Sequence, residues 1–125
     1  MARAAQRRKS RETRSATGKP GERPCRNVVY DRLEKTTSLL FNERPKLESH
    51  KLAKIRPVSY QSRDELTLDG YLTTPVGIAP ENLPTVLLVH GGPWLRDRWG
   101  YYDAAQWLAN RGYAVLQVIY RGSTG

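Results

Sequence analysis

Val86-Leu-Leu-Val-His-Gly-Gly-Pro93 is a run in which four apolar residues give way at once to a histidine, two glycines and a proline. Four apolar residues in succession after the breaker Pro84 predict a strand of a parallel sheet with both faces covered, because such a strand need not alternate. Gly91 and Gly92 then permit positive φ and leave the backbone bare, so that an amide N–H can meet a ligand's oxygen. Pro93 fixes the direction in which the chain leaves. A buried strand that empties into a bare turn of this kind is how an oxyanion hole is built.

The flanking sequence supplies the rest of a parallel unit. Residues 103–111 carry Ala104, Ala105, Trp107 and Leu108 at helical spacing and end in a basic turn before Gly112, a C-terminal cap residue. Residues 113–120 follow as a second largely buried strand. Strand, helix and strand over this length make a right-handed crossover. Upstream, residues 56–62 and 66–74 alternate apolar with polar around a turn at 63–65 and predict an antiparallel pair at the sheet's edge, where one face can stay wet. Residues 75–84 form a proline-rich surface loop. Earlier still, residues 28–41 read as a hairpin around the polar turn 31–35, and residues 42–54 as a linker with at most one helical turn. The expected class is α/β: an incomplete sheet of four strands with one helix, preceded by a β-hairpin and a basic tail.

Length and charge bound this reading. One hundred and twenty-five residues with 38% hydrophobic content allow one modest core. The formal net charge of +9 is concentrated at the front, where the Arg and Lys residues from Arg3 to Arg26 face only Glu12 and Glu22. That stretch lacks an apolar run, so it is expected to be a disordered, solvated tail over 1–27 and not a secretory leader. Its other reading is a non-specific nucleic-acid-binding arm, with the remainder as scaffold. Cys25 is the single cysteine, which excludes an internal disulfide and a cysteine metal site. No apolar run approaches the ~20 residues that span a bilayer, and the chain is read as soluble and cytoplasmic. With no paired carboxylates, metal-ligand spacing or phosphate loop, neither cofactor nor metal is expected. The division is a tail (1–27), a hairpin with linker (28–54) and a partial α/β domain (55–125).

His90-Gly91-Gly92-Pro93-Trp94, then Asp97, Trp99 and Gly100, then Tyr120-Arg-Gly-Ser-Thr-Gly125 resemble the catalytic domain of the prolyl oligopeptidase family of serine peptidases, nearest its acylaminoacyl-peptidase and dipeptidyl-peptidase-like branch. The resemblance implies an α/β-hydrolase domain with a Ser, Asp, His triad, set against a β-propeller whose last blade the hairpin at 28–41 would close. It implies Gly92 N–H as an oxyanion donor, with His90, Gly91 and Pro93 shaping that turn and Trp94, Trp99 and Tyr101 bordering the substrate cleft. Short peptides are the implied substrates. Lipases and esterases of the same fold carry His-Gly-Gly-Gly at the equivalent turn, so an esterase is the alternative, while Pro93 favours the peptidase branch.

The catalytic residues themselves are not legible in this chain. His90 precedes any nucleophile, whereas this fold runs Ser, Asp, His in chain order. Ser123 superficially resembles the elbow Gly-x-Ser-x-Gly, but Arg121 stands where a small residue is needed. The family's usual Asn before Tyr-Arg-Gly is replaced by Ile119. The chain is therefore read as a piece of the hydrolase domain, inactive by itself. In the family's strand order of first, second, fourth, third, fifth, the strand at 85–90 would be left as an exposed edge and invite self-association.

Overall fold

Asp31 turns the chain back on itself in the first sheet. Its Oδ1 accepts from the backbone N–H groups of Leu33 (2.9 Å) and Glu34 (3.3 Å), and Lys35 closes the turn with a φ of 50°. The computed structural model describes residues 12–16, 23–92 and 94–124, with the backbone alone at 12–16. In it β2 (Arg26–Asp31) and β3 (Thr36–Asn42) pair antiparallel, as expected of 28–41, with a bulge at Asn27/Val28.

A further strand, β1 (Glu12–Ala16), pairs antiparallel with β2 inside the span expected to be a disordered tail, and β2 itself begins within that span. A two-stranded hairpin leaves one edge of β2 with unmade ladder bonds, and backbone groups can fill them without any apolar pattern. Residues 1–11 and 17–22 of the expected tail lie outside the described residues. The linker carries a single 3-10 turn, Pro45–Leu47.

The second sheet holds β4 (Lys54–Gln61), β5 (Thr67–Thr74), β6 (Thr85–Val89) and β7 (Ala114–Ile119) in the order β4-β5-β7-β6. The β4–β5 turn closes through Ser62 and a left-handed Glu65 (φ 62°). Strand β6 runs parallel to β7, and α1 (Asp103–Ala109) makes the crossover between them. The helix stops in a Schellman motif, because Gly112 adopts φ 88° and lets its own N–H reach Ala109 O while Tyr113 N–H reaches Leu108 O. Arg111, expected in the last helical turn, lies just beyond it. Its guanidinium donates to Trp107 O at 3.0 Å and stacks on the Trp107 ring at 3.9 Å.

One face of this sheet carries the core. Ile55, Thr73 and Val115 stand in register across β4, β5 and β7, and the buried Ala105 and Ala109 of α1 cover them. Ala109 thus replaces Trp107 on the buried side. Small residues let the helix approach closely, and Gln106 fastens it by pairing both amide ends with the backbone of Ala53 at 2.9 Å.

On the opposite face Ala114 and Val118 of β7 are buried but β6 stays open, which corrects the expectation that 86–89 is covered on both sides. Leu87 is 58% and Val89 53% exposed, while Val86 and Leu88 are half-buried under the helix side. A continuous apolar run signals that both faces want cover, and α1 supplies only one. Among the described residues no helix is long and apolar enough to cross a membrane.

Gly70 of β5 stands opposite Val118 of β7. A Cβ there would lie 2.4 Å from the backbone oxygen of Gln117. Gly70→Ala must therefore push two central strands apart, and a loss on the order of 1–3 kcal/mol is expected from such overpacking. Denaturant titration checks this, and an unchanged midpoint would show that the β5–β7 ladder slips without cost.

Candidate functional site

Neighbouring parallel strands deliver their C-terminal turns to the same end of a sheet, which is where open α/β sheets bind ligands. Here those turns are residues 90–95 after β6 and 120–124 after β7. Three links join them. His90 Nε2 lies 2.8 Å from Ser123 Oγ, the Tyr120 hydroxyl donates to His90 O at 3.2 Å, and Thr124 N–H donates to Leu95 O at 3.1 Å. The His90 ring also stacks on Tyr120, with centroids 4.3 Å apart and planes 15° from parallel, and its Nδ1 lies 2.7 Å from Gly91 O.

Gly91 and Gly92 are both exposed, and neither adopts positive φ. Their glycine character therefore serves bareness and not a left-handed turn. At Gly92 a Cβ would crowd Trp94 N at 3.2 Å and the Tyr120 hydroxyl at 3.3 Å, whereas at Gly91 it would meet open space. Pro93 lies outside the described residues.

The aromatic residues expected to border a cleft separate into three settings. Trp94 is 78% exposed beside the glycine turn. Trp99 packs edge-on against Tyr71, with centroids 5.7 Å apart. Tyr101 lies instead in a groove of about 830 Å³ along α1, whose lining includes Arg44, Leu52, Val76, Ile78 and Trp107 but not His90, Gly91, Gly92 or Trp94. Arg44 sits over the Tyr101 ring at 5.9 Å and pairs with Asp103, and burial, then the hydrogen bond to Asp103, push the Tyr101 hydroxyl's pKa above its ordinary value.

Two further ties hold this end of the sheet. Gln117, 1% exposed in the central strand, donates from Nε2 to Asp97 Oδ1 at 3.1 Å and so fixes the loop between the glycine turn and α1. Asp64, in the β4–β5 turn, accepts from Ser62 and Arg121, and those bonds hold its carboxyl well below the ordinary 3.8, at about 2. The Arg121 contact is thus available at any pH above the carboxylate range and is lost only as pH falls towards about 2. Sequence reasoning placed Ser123 only as a rejected nucleophile and gave Tyr120, Gln117 and Asp64 no role. The signal that finds them is topological: two motifs that each follow a strand of one βαβ unit must meet.

No protein-family model matches the chain. The dipeptidyl aminopeptidase BIII of Pseudoxanthomonas mexicana is 52% identical over 111 residues, covering 83% of this chain and 16% of that protein. Dipeptidyl peptidase family member 6 of Caenorhabditis elegans is 33% identical, covering 83% of this chain and 17% of its own length. Among solved structures, an acylaminoacyl peptidase in complex with Z-Gly-Gly-Phe-chloromethyl ketone superposes with a TM-score of 0.70 at 25% identity, over 94% of this chain and 18% of that one. A puromycin-hydrolysing peptidase of Mycobacterium tuberculosis gives 0.71 at 28% identity, over 90% and 18%. The chain spans about a sixth of the length of the curated relatives it matches.

Proposed function

From the premise that this chain corresponds to the first part of the α/β-hydrolase domain of prolyl oligopeptidase-family serine peptidases, we propose that it carries the oxyanion turn of a peptidase acting on short peptides, with Gly92 N–H as the donor. The observation that supports this reading is the exposed Gly92 backbone at the end of parallel strand β6, bounded by the Tyr120 hydroxyl. In acyl transfer a serine oxygen adds to the scissile carbonyl, whose oxygen becomes negative. A fixed N–H aimed at that oxygen is worth most in the transition state, because charge is largest there. The nucleophile, its base and the orienting acid belong to sequence other than these residues. Arg121 before Gly122-Ser123 keeps the turn after β7 from being the elbow.

A graft tests the proposal. Residues 26–124 of this chain replace the matching segment of the Pseudoxanthomonas mexicana aminopeptidase, and peptide hydrolysis is followed. The graft is expected to remain active. Gly92→Pro, which removes the N–H, is expected to lower kcat by about a hundredfold or more with KM little changed. Gly92→Ala keeps the N–H and reports only the crowding against Tyr120. Unchanged kcat in the Gly92→Pro graft would sink the assignment.

A further inference from the structure

The turn after β7 does more than sit beside the glycine turn. We infer that Ser123, acting through His90, sets the direction in which the Gly92 N–H points, which makes Ser123 and Tyr120 positioning residues. This rests on the reading of Gly92 as a donor. The chain of bonds begins at Gly91 O, which lies 2.7 Å from His90 Nδ1. A carbonyl oxygen only accepts, so Nδ1 carries the proton. In a neutral imidazole Nε2 is then bare, and at 2.8 Å it accepts from the Ser123 hydroxyl. The ring is thus held at both nitrogens, and its face is held by the stack on Tyr120.

Peptide geometry carries that hold to the donor. Gly91 C=O and Gly92 N–H belong to one planar trans peptide group, in which oxygen and hydrogen point in opposite directions. Fixing the carbonyl towards His90 therefore turns the N–H away from the ring, to the open side of the turn. Tyr120 O–H braces the preceding peptide by donating to His90 O at 3.2 Å, and its oxygen takes the space that a side chain at position 92 would need. Without Ser123 the ring loses its hold at Nε2 and keeps only the Gly91 bond and the Tyr120 stack, so the ring and the Gly91–Gly92 peptide move more freely. A glycine pair has little intrinsic preference against such movement. The two separated motifs of the sequence are in this sense one device, in which the second aims the donor of the first.

The test uses the 125-residue chain at low salt, where its net charge of +9 opposes association, and long-range proton–nitrogen correlation of the imidazoles above their titration range. His50→Gln identifies the His90 signals. His90 is expected to show a protonated Nδ1 and a bare Nε2. Ser123→Ala is expected to give a mixture of tautomers and a loss of Gly92 amide order by heteronuclear NOE, with the thermal midpoint unchanged. Ser123→Thr, which retains the hydroxyl, restores both readouts. Tyr120→Phe keeps the ring stack and the tautomer but loses Gly92 order, so the inference stays testable if one variant folds poorly. A protonated Nε2 in the wild-type chain, or an unaltered Gly92 amide in Ser123→Ala, overturns it. These readouts involve no catalysis. If they behave as expected while the Gly92→Pro graft keeps its kcat, the oxyanion reading fails and the aiming device stands.

Discussion

Incubated with a fluorophosphonate probe, the 125-residue chain is expected to remain unlabelled at every serine. Ser123 is the one that tests the expectation, since a histidine nitrogen 2.8 Å from its Oγ is the distance at which a base activates a nucleophile. Three features weigh against activation. The other nitrogen of His90 faces the carbonyl of Gly91, which orients the ring but brings no negative charge to stabilise an imidazolium. The left-handed conformation of this turn falls on Gly122, at φ 91°, and Ser123 is not among the positive-φ residues, so the serine does not stand at the strained apex of an elbow. Arg121 fills the position that the elbow needs small and is held by Asp64. Ser59 and Ser62 donate to carboxylates, which are weak bases. Intact-mass measurement after probe treatment decides the matter, with the active graft as positive control. Stoichiometric labelling of Ser123 would sink this expectation and would show that His90 acts on its hydroxyl as a base.

The sheet was legible in the sequence because its signals are local. The apolar run after Pro84, the 3.6-residue spacing that begins at Ala104, and Gly112 as a cap each report on a few neighbouring residues, and each matches an observed element. The hairpin was legible for the same reason, since Asp31 makes its own turn. What stayed hidden depends on residues far apart in the chain. Strand β1 is held by backbone pairing to β2, which leaves no trace in side-chain pattern. The helix turned Ala109 and not Trp107 inward because a close helix–sheet approach favours the smaller side chain, a choice made by the partner surface. Tyr101 follows the loop expected to border a cleft, yet the start of α1 and the Arg44 cation draw it into the groove along the helix. The partnership of His90 with Ser123 spans 33 positions and exists only because β6 and β7 are adjacent and parallel.

At physiological ionic strength the chain is expected to self-associate through β6, a second copy adding its own β6 across the same edge. The two outer strands of the second sheet are protected very differently. Strand β4 carries Lys54, Arg56 and Pro57, and charge together with a residue lacking an N–H discourages further pairing. Strand β6 is Thr-Val-Leu-Leu-Val, with neither charge nor proline, and among the described residues nothing pairs on its outer side. Leu87 and Val89 add exposed apolar surface on the open face, and full burial of such side chains is worth roughly 1.5–3 kcal/mol each. Opposing this is the net charge of +9 on every copy. Screening shortens the reach of that repulsion to about 8 Å at physiological ionic strength, so association should rise with salt and not fall. Size-exclusion chromatography with light scattering is expected to show monomer at low salt and dimers or larger species at physiological salt. Leu87→Lys places a charge on the exposed side of β6 and is expected to restore monomer at every salt concentration without lowering the unfolding midpoint. A wild-type chain that stays a monodisperse monomer as salt and protein concentration are raised would show that this edge is protected in solution.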